Sequence, residues 1–380
     1  MRRRVLVATE YFPPADGGGA TRALINLIQA LSPSIDFHIV TRGYHPRNGH
    51  AYDVDTTSWA RVGGARVRYL ERVGGLTRLG RLIREVQPDV LFLNSVFSTL
   101  TLRTLLLRRF GMIPGVPVVL VPEGELDRGA LQIKPAKKAV YLALISSLGL
   151  LRQVRWKAAS ALEEQNISRR LRIDNITIVP PPASPSAAAF RCPDRARPKQ
   201  PGAARFIFVS RIVRKKNLTY ALEALAGVRG EIHFDIVGDR EDRAHWEECR
   251  ALLERFPKHI RVTTHGHLPH EQTLQMLAGA HALILPTLAE NFGYVIAEAL
   301  STGCPVLISD NTPWSDVPQR GAGWIVPLNS PDEWRSRLQE IVAMSEEELR
   351  ACSARAHALA AERFGDSPAI ERQYLALLAP

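Results

Sequence analysis

Short runs of consecutive apolar residues recur along the chain, each followed by a stretch in which apolar residues return every three or four positions. VLVAT (5–9) leads into a glycine-rich turn and a helical pattern from Ala20. FHIVT (37–41), VRYL (67–70), DVLFLN (89–94), PVVLVP (117–122), RWKAAS (155–160) and ITIVP (176–180) continue the series, with helical segments between most of them. Strands that are apolar on both faces and alternate with helices predict a parallel sheet covered on both sides. The alternation restarts at RFIFVS (205–210) and runs through EIHFDIVG (231–238), RVTTHG (261–266), ALILPT (282–287) and PVLIS (305–309). Between the two series, residues 180–204 are rich in Pro, Ala and Ser, which is a linker composition. The fold class is therefore α/β, with two doubly wound units, and ligands of such sheets bind beyond the carboxyl ends of the strands. The stretch 345–378 reads as helices broken near Gly365 and Pro368.

Length agrees with two domains: 380 residues exceed the usual single core. The net charge of +11 is unevenly spread. Residues 1–180 hold 26 Lys and Arg against 14 Asp and Glu, whereas the remainder is close to neutral. A basic first half implies an anionic partner: nucleic acid, a phosphorylated substrate or an anionic membrane surface. Base composition of the coding sequence explains arginine enrichment equally well. Aromatic residues are not interleaved with the basic stretches as single-strand nucleic-acid binders require, so no nucleic-acid partner is expected. Cys192, Cys249, Cys304 and Cys352 form no CxxC pair, which fits a reducing, cytoplasmic setting. The apolar run 5–9 is too short for a signal-peptide core, and no segment reaches the roughly 20 apolar residues of a membrane span.

Two segments carry candidate chemistry. After the strand at 205–210 come Arg211 and, five residues on, Lys216, before a helical pattern from Leu218. Two cations at a strand-to-helix turn, beside a helix amino terminus, can hold a diphosphate; a solvated basic turn is the alternative. In PTLAENFGYVIAEALSTGCPVLISD (286–310), Glu290 precedes a helix opened by Gly293, and Glu298 lies on that helix. A carboxylate in such places caps a helix or pairs at the surface. It also accepts hydrogen bonds from sugar hydroxyls or a ribose diol.

Together these stretches resemble the retaining glycosyltransferases of family 4, which have the GT-B fold: two Rossmann-like domains facing a central cleft. The resemblance is dense over 205–330, looser over the first half, and in SDNTPWSDV (309–317) it extends to a subgroup linked to bacterial surface polysaccharides. It implies an acceptor-side domain over 1–182, a linker over 183–204, a donor domain over 205–362, and a terminal helix over 363–380 packing back on the first domain. Arg211 and Lys216 match the family's diphosphate-binding cations. Glu290 matches the carboxylate that contacts the donor sugar, and Glu298 the one on the nucleotide ribose. Backbone amides of Asn291, Phe292 and Gly293 would cradle the diphosphate and sugar, while Gly238 and the turn near Leu268 would line the nucleotide. The implied reaction is metal-independent, retaining transfer of a hexose from a UDP-, GDP- or similar sugar nucleotide to a hydroxyl of a glycan, glycolipid or small molecule. No cofactor is implied.

In the first half, Gly17, Gly18 and Gly19 match the glycine-rich loop after the first strand, where bare backbone approaches a phosphate or acceptor. The loop 121–134 carries Glu123 and Glu125 where many family members have His or Arg; either could orient an acceptor hydroxyl. Asp53 and Asp55 have a DxD look but sit in a polar loop, so no metal site is expected. Lys134, Lys137 and Lys138 precede the apolar run 139–151. That segment reads either as a core helix with snorkelling lysines or as a basic face for a lipid headgroup, which would place the protein at the inner face of the membrane. Rival readings are a GT-B-fold sugar-nucleotide epimerase and a non-catalytic sugar-nucleotide-binding protein.

Overall fold

A computed structural model describes residues 2–15, 18–45, 49–72, 75–132, 134–182, 198–364 and 367–380. The chain divides into two compact units, Met1–Pro182 with Ser367–Pro380, and Ala183–Asp366.

The first unit begins with β1 (Arg3–Ala8), α1 (Gly19–Leu31), β2 (Ile35–Arg42), β3 (Ala60–Val62) and β4 (Ala65–Leu70). It continues with α2 (Gly75–Val86), β5 (Val90–Asn94), α3 (Thr99–Arg109), β6 (Val118–Val121), α4 (Arg128–Leu131) and α5 (Pro135–Ser147). β7 (Val154–Ala158), α6 (Ala161–Leu171) and β8 (Ile176–Ile178) complete the series. The sheet order is β3-β4-β2-β1-β5-β6-β7-β8. Every pair is parallel except the short β3–β4 hairpin, which sequence periodicity did not reveal. Successive residues of a strand face opposite sides, so β1 feeds two cores. Val5 and Val7 pack with Leu24, Leu27 and Phe37, and Leu6 and Ala8 pack with Leu79, Leu91 and Leu120. The last helix of the chain belongs to this unit. Its Ile370, Tyr374 and Leu377 join the core of Val5 and Val7, and Arg3 donates to the Leu375 carbonyl at 2.9 Å.

The second unit runs β9 (Ala203–Val209), α7 (Leu218–Ala226), β10 (Glu231–Val237), α8 (Arg243–Leu253), β11 (Ile260–Gly266), α9 (His270–Gly279) and β12 (Ala282–Leu285). It ends with α10 (Tyr294–Ser301), β13 (Val306–Ile308), β14 (Gly323–Ile325), α11 (Pro331–Ala343) and α12 (Glu346–Phe364), after which α13 (Ser367–Leu377) returns to the first unit. Its sheet is wholly parallel, in the order β11-β10-β9-β12-β13-β14. The order reverses between β9 and β12, and loops that leave the carboxyl ends of strands at such a point converge.

Candidate active site

β9 delivers Phe206, Ile207 and Phe208, all buried, to the turn that carries Arg211 and Lys216. Two backbone bonds lock this turn onto the neighbouring strand: Ser210 N–H donates to Val237 O at 3.0 Å and Ile212 N–H to Asp239 O at 2.7 Å. Ile212 is buried in this turn, at 2% exposure, whereas Arg211 beside it is exposed. A single 3-10 turn over Arg214–Lys216 follows. Asn217 then takes the left-handed conformation (φ 58°) that asparagine tolerates well, and α7 begins. The close approach of β10 requires Gly238. At φ +140°, a Cβ there would lie 1.9 Å from the Ser210 carbonyl oxygen.

The loop after β12 is stitched to the same turn. Leu288 N–H donates to Lys215 O at 2.8 Å, buried Thr287 reaches that carbonyl through Oγ1 at 3.1 Å, and Glu290 N–H donates to Asn311 O at 2.9 Å. These bonds bring the Glu290 carboxylate onto the Lys216 ammonium as a direct ion pair. Both side chains are largely shielded, at 10% and 15% exposure. Burial pushes the Lys216 amine down, and Glu290 opposes that by favouring the charged form. Arg211 is near enough for its charge to be felt at Lys216, but its guanidinium pairs with Glu241 at 2.7 Å. Lys216 thus meets a sequence-predicted carboxylate directly, whereas Arg211 pairs with Glu241, which the sequence did not single out.

Asn291, Phe292 and Gly293 lead from Glu290 into α10. Gly293 has φ +77°, and a Cβ there would lie 2.9 Å from Ile296 Cδ1 and 3.2 Å from the Trp314 indole nitrogen. Trp314, fully buried, donates to the Phe292 carbonyl at 2.6 Å, which fixes the entry to the helix. Glu298 lies in the second turn of α10, 9% exposed, with one carboxylate oxygen 3.6 Å from His270 Nδ1. His270 begins α9, two residues past Leu268, so the Leu268 turn and Glu298 are brought together. Leu268 also lines an open recess of about 560 Å³ with Asp235, His265 and Gln272.

In the first unit, Gly18 (φ 72°) caps α1 and Gly19 is its first residue. Gly17 lies outside the described residues. After β6 the chain turns through Glu123 (φ 53°) and Gly124 (φ 74°). Here the structure separates two carboxylates that the sequence could not. Glu125 accepts from Ser95 Oγ at 2.7 Å, Val96 N at 2.7 Å and Phe97 N at 3.2 Å, and so pins the loop after β5. Glu123 makes no such bonds among those of the described residues; burial pushes its carboxyl up to about 7, against the pull of Lys157.

Sequence reasoning missed several members of these sites. Glu163 of α6 accepts from Gly124 N at 2.6 Å and Ala159 N at 2.7 Å, which fixes the loop on which Glu123 sits. Lys157, fully shielded in β7, stands beside Glu123 and Glu163. The legible signals were a lysine inside an apolar strand and the spacing Ser160-x-x-Glu163, which reads as a helix capping box. Ser160 does cap α6, but Glu163 turns to the β6 loop. Glu241 and His270 carried no signal beyond their types. Among the described residues, no group of three or more His, Cys, Asp or Glu is placed to hold a metal ion. Asp55 instead accepts from Thr57 N at 2.6 Å in its loop.

Comparison with known proteins agrees with this architecture. Residues 194–358 match the family model of glycosyl transferases group 1. Lipopolysaccharide 1,6-galactosyltransferase of Salmonella typhimurium is 28% identical over 156 residues, which are 40% of this chain and 41% of the relative. Alpha-1,3/1,6-mannosyltransferase alg-2 of Neurospora crassa is 26% identical over 193 residues, 43% of this chain and 41% of the relative. The chain thus spans about two fifths of the length of these relatives. Among solved structures, sucrose-phosphate synthase from Thermosynechococcus elongatus superposes with a TM-score of 0.72 at 17% identity, over 99% of this chain and 98% of its own. WaaG, a glycosyltransferase involved in lipopolysaccharide biosynthesis, gives 0.71 at 13% identity over 98% and 99%. An Anabaena protein in complex with UDP-glucose gives 0.70 at 14% identity over 99% of both chains. Residues 194–358 are thus similar to the glycosyl transferases group 1 domain, and the two parallel-sheet units are those of the GT-B fold.

Proposed function

We propose that the protein is a retaining hexosyltransferase that moves a hexose from a nucleoside diphosphate sugar to a hydroxyl, without a metal ion. The observation that carries this reading is the Lys216–Glu290 pair, which joins a cation and a carboxylate 74 residues apart at the carboxyl ends of β9 and β12. Burial pushes the Lys216 amine down, and Glu290 opposes this by favouring the ammonium where a diphosphate would leave.

In the reaction, the acceptor oxygen attacks the anomeric carbon from the side on which the diphosphate departs. The carbon–phosphate oxygen bond breaks, and the acceptor proton passes to the departing phosphate oxygen. Lys216, Arg211 and the amides of Asn291, Phe292 and Gly293 at the start of α10 stabilise the negative charge that develops there. Such preorganised stabilisation is usually the largest catalytic term. Glu290 accepts from sugar hydroxyls, Glu298 from the ribose, and Leu268 packs beside the base. Gly238 contributes by holding β10 against the Arg211 turn. In the first unit, Gly18 and Gly19 contact the acceptor through bare backbone, and Glu123 is the carboxylate that binds an acceptor hydroxyl. The named activities of the galactosyl- and mannosyltransferase relatives support a hexose, and the UDP-glucose complex of a structural neighbour supports a UDP-sugar donor. An acceptor in surface polysaccharide synthesis, used at the inner face of the membrane, fits the basic first half.

The test starts with thermal shifts against UDP-, GDP-, ADP- and TDP-hexoses, since a ligand that binds only the folded state raises its apparent stability. Transfer from the binding donor is then followed in EDTA, and the anomeric configuration of the product is read by NMR. Product with the donor's configuration, formed in EDTA, is expected. Inversion, or activity lost in EDTA and restored by magnesium or manganese, overturns the corresponding part. Isomerised donor without transfer, or binding without turnover, would favour an epimerase or a silent binder.

A further inference from the structure

α5 buries only Leu142 and Ile145. Those two join the core of Leu6, Leu79 and Leu91, while much of the rest of the helix is exposed. Its outer face carries Val140, Leu144 and Leu148, exposed by 69%, 51% and 45%. A spacing of four places them in one stripe along the helix. Nine large apolar residues stand exposed among the described residues, and five fall in two short segments: these three, with Phe110 at 70% and Met112 at 46%. The segments are tied together, because Arg108 in the last turn of α3 donates to the Arg152 carbonyl just past α5, at 3.3 Å.

The segments that form this surface carry charge of one sign. Lys134, Lys137, Arg109 and Arg152 are exposed. No Asp or Glu occurs from 90 to 122 or from 128 to 162. A second copy of the chain would set these cations against one another in a two-fold contact, with no carboxylate to pair them. An apolar stripe flanked by cations alone is complementary to anionic lipid, whose headgroups take the lysines and arginines while the apolar side chains enter the acyl boundary.

The inner edge of α5 holds the loops that would meet an acceptor. Tyr141 donates to the Val96 carbonyl at 2.8 Å, and Lys138 donates to the Ala130 carbonyl at 2.7 Å, with its ammonium 4.8 Å from the Phe97 ring centroid. Val96 and Phe97 are the residues whose amides Glu125 binds.

We propose that the outer face of α5, with Phe110 and Met112, docks on an anionic bilayer surface and so presents the Glu123–Leu131 segment to an acceptor carried by a lipid. The lipid-borne acceptor rests on the transferase reading; the docking does not. The test is co-sedimentation of the full chain with phosphatidylglycerol-containing and with pure phosphatidylcholine vesicles. Salt-sensitive binding to the anionic vesicles alone is expected. Combined Val140→Ser, Leu144→Ser and Leu148→Ser should weaken it by about tenfold or more. Lys134→Gln with Lys137→Gln should weaken it several-fold through lost headgroup attraction. Melting temperature and transfer to a water-soluble acceptor should stay at wild-type values in both variants. Absence of vesicle binding, equal binding to neutral vesicles, or undiminished binding by the serine variant overturns the docking. A dimer in light scattering that the serine variant dissolves overturns it in favour of a second copy. Anionic-vesicle binding without any transfer activity leaves the docking standing and sinks the transferase reading instead.

Discussion

The loops after β12 and β6 both carry a shielded glutamate just beyond a buried parallel strand, and they use it in opposite ways. Glu290 faces a single cation, Lys216. The loop around it is positioned by other bonds, from Leu288, Thr287 and its own backbone N–H. Its carboxylate is thus not what holds the loop. Glu125 spends its oxygens on two backbone amides and a hydroxyl, and those bonds are the loop's attachment to the next one. A carboxylate whose removal leaves the backbone tied is suited to a ligand; one whose removal orphans buried donors is a structural member. Glu123, beside Glu125, resembles Glu290: a cation faces it, and Glu163 does the fixing of its loop.

The comparison can be broken by four measurements. The largest effect is expected for Lys216→Ala. It should lower kcat/KM by about 2–4 kcal/mol in transition-state stabilisation, as removing a preorganised partner of developing charge does. Near-wild-type kcat/KM in the folded variant would reduce the Lys216–Glu290 pair to a structural tie.

Glu125→Ala should act on stability instead, by about 2–3 kcal/mol in denaturant unfolding, because three donors lose a charged acceptor. If it left stability untouched and abolished transfer, the division between Glu123 and Glu125 would be reversed.

The two donor-side glutamates should separate by ligand. Glu298→Gln is expected to weaken a nucleoside diphosphate and the intact donor alike, whereas Glu290→Gln should weaken only the donor. Each loss is about 1.5–3 kcal/mol, tenfold or more in Kd. Calorimetric titration of both variants with both ligands decides it; equal loss of the sugar-free diphosphate in both would erase the distinction.

The smallest effect is a pH dependence. Burial raises the folded Glu123 carboxyl from the ordinary carboxylate range to about 7. The folded state then holds more protons than the unfolded state between those values. This contribution is fully present below the ordinary range and is lost as pH rises through 7. Between pH 6 and 8 the wild type should lose on the order of 1–2 kcal/mol that Glu123→Gln does not lose, read from chemical unfolding at each pH. Parallel profiles would mean that the carboxyl is not held neutral by burial.

The sequence by itself determined the doubly wound α/β class. A strand buried on both faces must be apolar at every position, and VLVAT, DVLFLN, RFIFVS and ALILPT state this without any partner in view. It also placed Arg211 and Lys216 on one turn and Glu290 ahead of one helix, since these relations are local. The β3–β4 hairpin escaped because Ala60–Val62 is three residues long, half-exposed and paired only with its neighbour. What tertiary structure alone decided is which distant groups meet. Lys216 reaches Glu290 because β9 and β12 are adjacent in the sheet although far apart in sequence. Arg211 reaches Glu241 because β10 delivers the residues after Gly238 against its turn. Glu123 and Glu125 differ by two positions and were indistinguishable in the sequence. One sits beside Lys157 of β7, and the other is claimed by amides of the loop after β5. Spacing along a chain constrains what a turn of helix or strand brings together; long-range packing assigns each charge its partner, and with it the choice between structure and chemistry.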